Sequence, residues 1–169
     1  YIAPSAPATR RPAVGDELYL RPEVGFTPKW YHDRLGIDFE GKFHTDVQHR
    51  LNCLAEIRKT LKDQFGDLPI GFSGSSDSAP DLLTGTFGAC PVAAIYGIPI
   101  IYASNNWPNS THDYLSRDEI STLEPPDLDN NEFFLGLMEQ LDQIDSENGR
   151  IDGFINWQGV LNTALRIRG

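Results

Sequence analysis

The chain has 169 residues, 40% of them hydrophobic and 22% charged, enough for one domain burying roughly two thirds of its unfolded surface and too apolar for wholesale disorder. Its 24 carboxylates against 14 Lys and Arg give −10, and residues 113–152 alone hold twelve carboxylates against Arg117 and Arg150 (2 − 12 = −10), so an acidic face repels phosphate backbones and nucleic acid is not an expected partner. Cys53 and Cys90 lack the spacing of a disulfide framework or zinc knuckle, residues 1–15 lack a leader's apolar block, and no run approaches the roughly 18 apolar residues of a membrane span; the expected setting is reduced and cytoplasmic.

Residues 1–25 carry Pro4, Pro7, Pro12 and Pro22 and read as an extended N-terminal arm, because proline removes ladder donors. From Thr45, a capping box with Gln48 and apolar residues at Val47, Leu51, Leu54, Ile57, Leu61 and Phe65 predict a helix from Asp46 to Phe65, stopped by Gly66. Its outer face is expected to carry Arg50, Arg58, Lys59, Lys62 and Asp63. Leu68 to Phe72 reads as a short strand and Gly71 to Ser78 as a loop. Asp81 to Gly85 reads as a turn or short helix, and Ala89 to Tyr96 as a helix ending at Gly97.

Ile98 to Tyr102 reads as a buried strand and Ala103 to Tyr114 as the polar loop after it. Ser116 and Glu119 form a capping box for a short helix ended by Pro125 and Pro126. Asp129 or Asn130 is expected to cap a longer helix with Phe133, Phe134, Leu137, Met138, Leu141 and Ile144 on its apolar face, ended by Gly149. Ile151 to Asn156 reads as a strand and Val160 to Ile167 as a helix, the helix–strand–helix rhythm of a parallel α/β sheet.

In such sheets chemistry gathers at the C-terminal ends of strands, which directs attention to Ile155 to Gly159. Asn156 and Gln158 carry amides that both donate and accept, and are the candidates for orienting a substrate, with Trp157 as a wall; the competing reading is that these amides cap the next helix. The other polar loop offers Trp107 as a second wall, Asn106 as a polar anchor and His112 as a proton donor, against an ordered surface turn in which Pro108 packs on Trp107. His32, His44 and His49 lie within eighteen residues, but not at the i, i+4 spacing of helical metal ligands, so capping and surface roles are expected and no metal ligand is assigned. Gly85-Thr-Phe-Gly88 lacks a phosphate loop's lysine and reads as a closely packed turn.

Four stretches carry a resemblance: Gly97-Ile-Pro-Ile-Ile101, Asn106-Trp-Pro108, Leu123-Glu-Pro-Pro-Asp-Leu128 and Gly153-Phe-Ile-Asn-Trp-Gln-Gly-Val-Leu-Asn-Thr-Ala164. Together they resemble the uroporphyrinogen decarboxylase superfamily, which includes cobalamin-dependent methyltransferases. The resemblance implies an α/β fold in which residues 26–169 form the N-terminal half of a (β/α)8 TIM barrel, since that architecture runs to roughly 250 residues. It also implies a second polypeptide completing the barrel in a hetero-oligomer. The methyltransferase branch's His-x-Cys zinc motif is missing here, so zinc would come only from a C-terminal half, and the decarboxylase branch's RQAGRY segment is missing too.

A porphyrinogen's many carboxylates call for a pocket with several basic residues, whereas this chain is neutral in its N-terminal part and acidic in the middle, so the resemblance favours methyl transfer between a small substrate and a corrinoid on a partner protein. A porphyrinogen-type carboxy-lyase and a non-catalytic subunit completing a partner's barrel are the alternatives.

Overall fold

The computed structural model describes residues 25–66, 81–156 and 159–169. The proline-rich arm up to residue 24, the strand and loop expected over Leu68 to Ser78, and Trp157 and Gln158 lie outside them.

Pro28 opens helix α1 (Pro28–Leu35), where a missing N–H costs nothing, and Gly36 closes it in the left-handed region (φ 67°). Helix α2 (Gly41–Thr45) follows, then α3 (Val47–Phe65). The cap of α3 is Asp46 rather than Thr45: its carboxylate accepts from the His49 N–H at 2.8 Å, while the Thr45 hydroxyl donates back to the Gly41 carbonyl. One α3 face buries Cys53, Ile57 and Leu61 against Ile37, Phe39 and Phe43. A second packs Val47 with Leu82, Leu83 and Ile144 of α6 (Glu132–Asn148). Asn131 caps α6 by accepting from the Phe134 N–H, one residue beyond the expected cap, and Gly149 ends it at φ 68°. Met138, expected on the apolar face, is exposed.

Helices α4 (Pro91–Ile95) and α7 (Gly159–Arg168) meet through Ala93, Ile98 and Ile167. The capping box of α5 (Arg117–Ser121) forms as expected: Glu119 accepts from the Ser116 N–H at 2.7 Å and Ser116 accepts from the Glu119 N–H at 3.3 Å.

The half barrel is overturned. Among the described residues the sheet has two strands, β1 (Ile100–Ala103) and β2 (Asn106–Ser110), paired antiparallel with Ile100 opposite Ser110 and Ile101 opposite Asn109. The reason is local. Only Ser104 and Asn105 join the strands, a two-residue link that turns the chain straight back, whereas a parallel pair needs a crossover of a dozen residues or more. What reads as the loop after a buried strand is thus the second arm of a hairpin, and Ile101 is half exposed on it.

The strand expected over Ile151 to Asn156 is absent: residues 151–156 are irregular. Gly153 sits at φ 101°, where an added Cβ would run into the Asp81 carboxylate, and the Phe154 N–H donates to the Thr84 hydroxyl at 3.4 Å. The segment is spent on packing against the Asp81–Thr84 turn, which Asp81 closes by accepting from the Leu83 and Thr84 N–H groups.

Candidate functional site

Two clusters of polar side chains stand out, and they differ in what surrounds them. The first is centred on His44, which is fully buried. Its Nδ1 accepts the Phe87 N–H at 3.0 Å, which requires the proton on Nε2, and Nε2 donates to the Phe39 carbonyl at 3.0 Å. The ring stacks on Tyr102 at 5.0 Å and lies against Phe87 and Phe43. Burial pulls its pKa down to about 4, helped by nearby Arg50 and opposed by the bond to Phe39. His44 is a neutral structural strut, neither the capping nor the surface histidine that the spacing suggests.

Arg50, expected on the outer face of α3, is 1% exposed. Its Nη1 donates to the Phe43 and His44 carbonyls at 3.0 and 3.1 Å, and its Nη2 to Gln140 Oε1 at 2.9 Å, tying α2, α3 and α6 together. Burial pulls its pKa down to about 10, with Asp46 acting the other way.

Phe87 explains the need for such a strut. It holds a left-handed conformation (φ 60°) that costs a bulky residue on the order of 1 kcal/mol or more, and the His44 bond fixes it there. The flanking glycines are tight as well: a Cβ on Gly85 would come within 3.1 Å of the Trp107 ring, and one on Gly88 within 2.9 Å of the Pro108 carbonyl oxygen. The Gly85–Gly88 turn is the close-packed element expected, and its packing partner is β2.

The second cluster is open to solvent. A cleft of about 230 Å³ lies where β2 and the segment after it meet α7, lined by Asn109 and Ser110 on β2, His112 and Tyr114 beyond it, and Asn162, Leu165 and Arg166 on the helix. Arg166 Nη1 donates to Asn109 Oδ1 at 2.6 Å and to the Ser110 hydroxyl at 3.1 Å, with the Cys90 sulfur behind it at 3.6 Å. The His112 and Tyr114 rings stack at 5.7 Å and 17°, and Tyr114 is pressed against Gly169. A bond from the Leu115 N–H to the Ile167 carbonyl (2.8 Å) holds this wall to α7.

Of the residues singled out by sequence, His112 lies in the cleft. Asn106 and Trp107 stand at the turn end of the hairpin: Asn106 Oδ1 accepts the Trp107 N–H at 2.8 Å, and the Trp107 ring covers Gly85 and meets Phe39 at 6.4 Å. Trp107 packs the fold and does not line the cleft. Asn156 is half buried in the irregular segment before α7, not at a strand end, and does not line the cleft either. Asn109, a flanking amide of the same polar loop as Asn106 and Trp107, lines the cleft too, whereas Ser110, Asn162 and Arg166 are not reached by the sequence reading. The available signal was that Arg166 and Arg168 follow the acidic stretch and that Asn162 precedes Arg166 by one helical turn.

Neither thiol is primed for nucleophilic work. Burial pushes the Cys53 and Cys90 thiols up, for Cys90 against the opposing pull of Arg166, and both are buried. Among the described residues no group of three or more His, Cys, Asp or Glu is arranged to hold a metal, so zinc does not fit the donors described.

No family model, curated protein or solved structure matches the chain. Among the described residues no helix is long and apolar enough to cross a membrane.

Proposed function

We propose that this chain binds and positions the small substrate of a cytoplasmic methyl-transfer reaction whose corrinoid is carried by a partner protein. The observation that carries this reading is the cleft, where a guanidinium, an imidazole and amide and hydroxyl groups from β2 and α7 converge on a space of about 230 Å³. The four sequence stretches resembling the uroporphyrinogen decarboxylase superfamily supply the reaction class. In that reading a corrinoid exchanges the methyl group. Arg166, Asn109 and Ser110 hold the polar end of the substrate, and a ring nitrogen of His112 gives a proton to the heteroatom from which the methyl departs.

The lining favours methyl transfer over decarboxylation of a porphyrinogen, because a tetrapyrrole with eight carboxylates calls for more than one arginine, and Arg166 is the one Arg or Lys among the described lining residues. The partner is proposed to dock on the outer face of α7. Val160, Leu161 and Leu165 are 81%, 74% and 50% exposed there, and Leu165 belongs to both that face and the cleft.

The test is purification from the source organism with bound partners retained, cobalt analysis, and an anaerobic methyl-transfer assay read by the visible spectrum of the cobalamin. Stoichiometric cobalt with turnover that His112→Ala removes supports the reading. Turnover unchanged by His112→Ala, or a preparation with neither cobalt nor methyl transfer, overturns it.

A further inference from the structure

We infer that His44 is a proton-operated latch: when its Nδ1 takes a proton, the Gly85–Gly88 turn comes away from α2 and uncovers the Trp107 and Pro108 side of β2, while α2, α3 and α6 stay together. The inference stands apart from the substrate-binding reading above. Geometry is the first ground. The Phe87 N–H donates to His44 Nδ1 at 3.0 Å, joining residues 43 positions apart, and the bond exists only while that nitrogen keeps its lone pair. Both residues are buried, so a proton on Nδ1 sets donor against donor away from water.

The surroundings give a protonated ring no relief. Arg50 from α3 opposes a second positive charge, and among the described residues no carboxylate contributes to holding a proton on His44. Tyr102 of β1 stacks on the ring at 5.0 Å, but burial pushes its hydroxyl up, as it does the Cys90 thiol that acts on Tyr102, so neither supplies a negative charge. Asp46, at the end of α2, acts on Lys42, His49 and Arg50. Phe87 in the turn and Phe133 of α6 behind it bring only rings.

What the proton touches decides what moves. Nε2 donates to the Phe39 carbonyl in either protonation state, and Arg50 binds the Phe43 and His44 carbonyls and Gln140 rather than the ring. The helix contacts therefore survive. The turn is already strained, because Phe87 sits at φ 60°, a conformation that a bulky residue leaves once its tether is gone. Its internal bonds, from the Gly88 N–H to the Gly85 carbonyl and from the Cys90 N–H to the Phe87 carbonyl, are both at the long end, 3.2 Å. Gly85 faces the Trp107 ring and Gly88 the Pro108 carbonyl, so movement of the turn exposes that side of the hairpin.

The test is an acid titration of the full chain by amide NMR and hydrogen exchange, from neutral pH down to about 3.5. The Phe87 and Gly88 amides and the Trp107 indole N–H should shift together with the His44 ring near pH 4. Protection of the Phe87 amide should fall at least about tenfold further than that of α3 and α6. His44→Asn keeps a side-chain acceptor near the Nδ1 position and removes the titration, so its turn should stay closed across the range. The inference is overturned by loss of protection in α3 and α6 at the same pH as in the turn, by unshifted Phe87 and Trp107 signals down to about pH 3.5, or by unchanged acid opening in His44→Asn. Should His44→Asn fail to fold, the order of opening in the unaltered chain decides: the turn first sustains the latch, and turn and helices together overturn it.

Discussion

His44, Arg50 and Gln140 in the core and His112, Arg166 and Asn109 in the cleft are nearly the same set of side chains in opposite surroundings. In the core, each ring nitrogen of His44 is committed to a backbone group and the Arg50 fork to three acceptors, so the set holds α2, α3, α6 and the Gly85–Gly88 turn in one arrangement. In the cleft, His112 is exposed and Arg166 is steadied by β2 beside open space. Residue type alone does not separate a strut from a binding group; burial and the identity of the acceptors do.

The contrast can be broken most forcefully at Arg50. Arg50→Ala strips two carbonyls and Gln140 of their donor and leaves a cavity, so a loss of about 4 kcal/mol is expected in urea unfolding. A loss below about 1 kcal/mol would show that the core network is incidental. His44 predicts a pH dependence of nearly that size. Its folded pKa of about 4 lies below the ordinary 6.5, so the unfolded chain binds the proton more tightly. The stabilisation is therefore complete above pH 6.5 and is lost as pH falls toward about 4. On the order of 3 kcal/mol should disappear across that window. His44→Gln should flatten the dependence, and an unchanged profile would remove the assignment.

Gly88→Ala should cost about 2 kcal/mol, since φ 58° penalises a side chain and the new Cβ meets the Pro108 carbonyl. Neutrality in thermal unfolding would mean that β2 yields more readily than its packing implies. His112→Ala sharpens the comparison from the other side: at this exposed position stability should change by less than about 0.5 kcal/mol, while the methyl transfer proposed above should be lost. A stability loss as large as that expected for Arg50→Ala would make His112 a second strut.

The helices were legible where signals were local and redundant. The long α3 and α6, the Ser116–Glu119 capping box and the Gly149 stop each arise from residues within a turn of one another. Strands failed for a physical reason. Short apolar runs such as Ile98 to Tyr102 and Ile151 to Asn156 do not state their partner, and a partner two residues away made one a hairpin while the Asp81 turn drew the other into irregular packing. With the parallel sheet gone, the strand-end argument for Asn156 lost its basis.

His112 was legible as a polar residue in a functional loop, but its companion Arg166 lies 54 positions later (166 − 112) on another element. Composition and local periodicity thus determined the acidic balance, the principal helices to within a residue of their caps, the Ser116–Glu119 capping box and the absence of a zinc-knuckle spacing, because each depends on neighbours along the chain. Tertiary structure alone decided that Arg50 and His44 are buried, that Trp107 packs a glycine turn, and that Arg166 meets Asn109 and Ser110, since these contacts join residues about 20 or more apart along the chain or depend on which helix face the core covers.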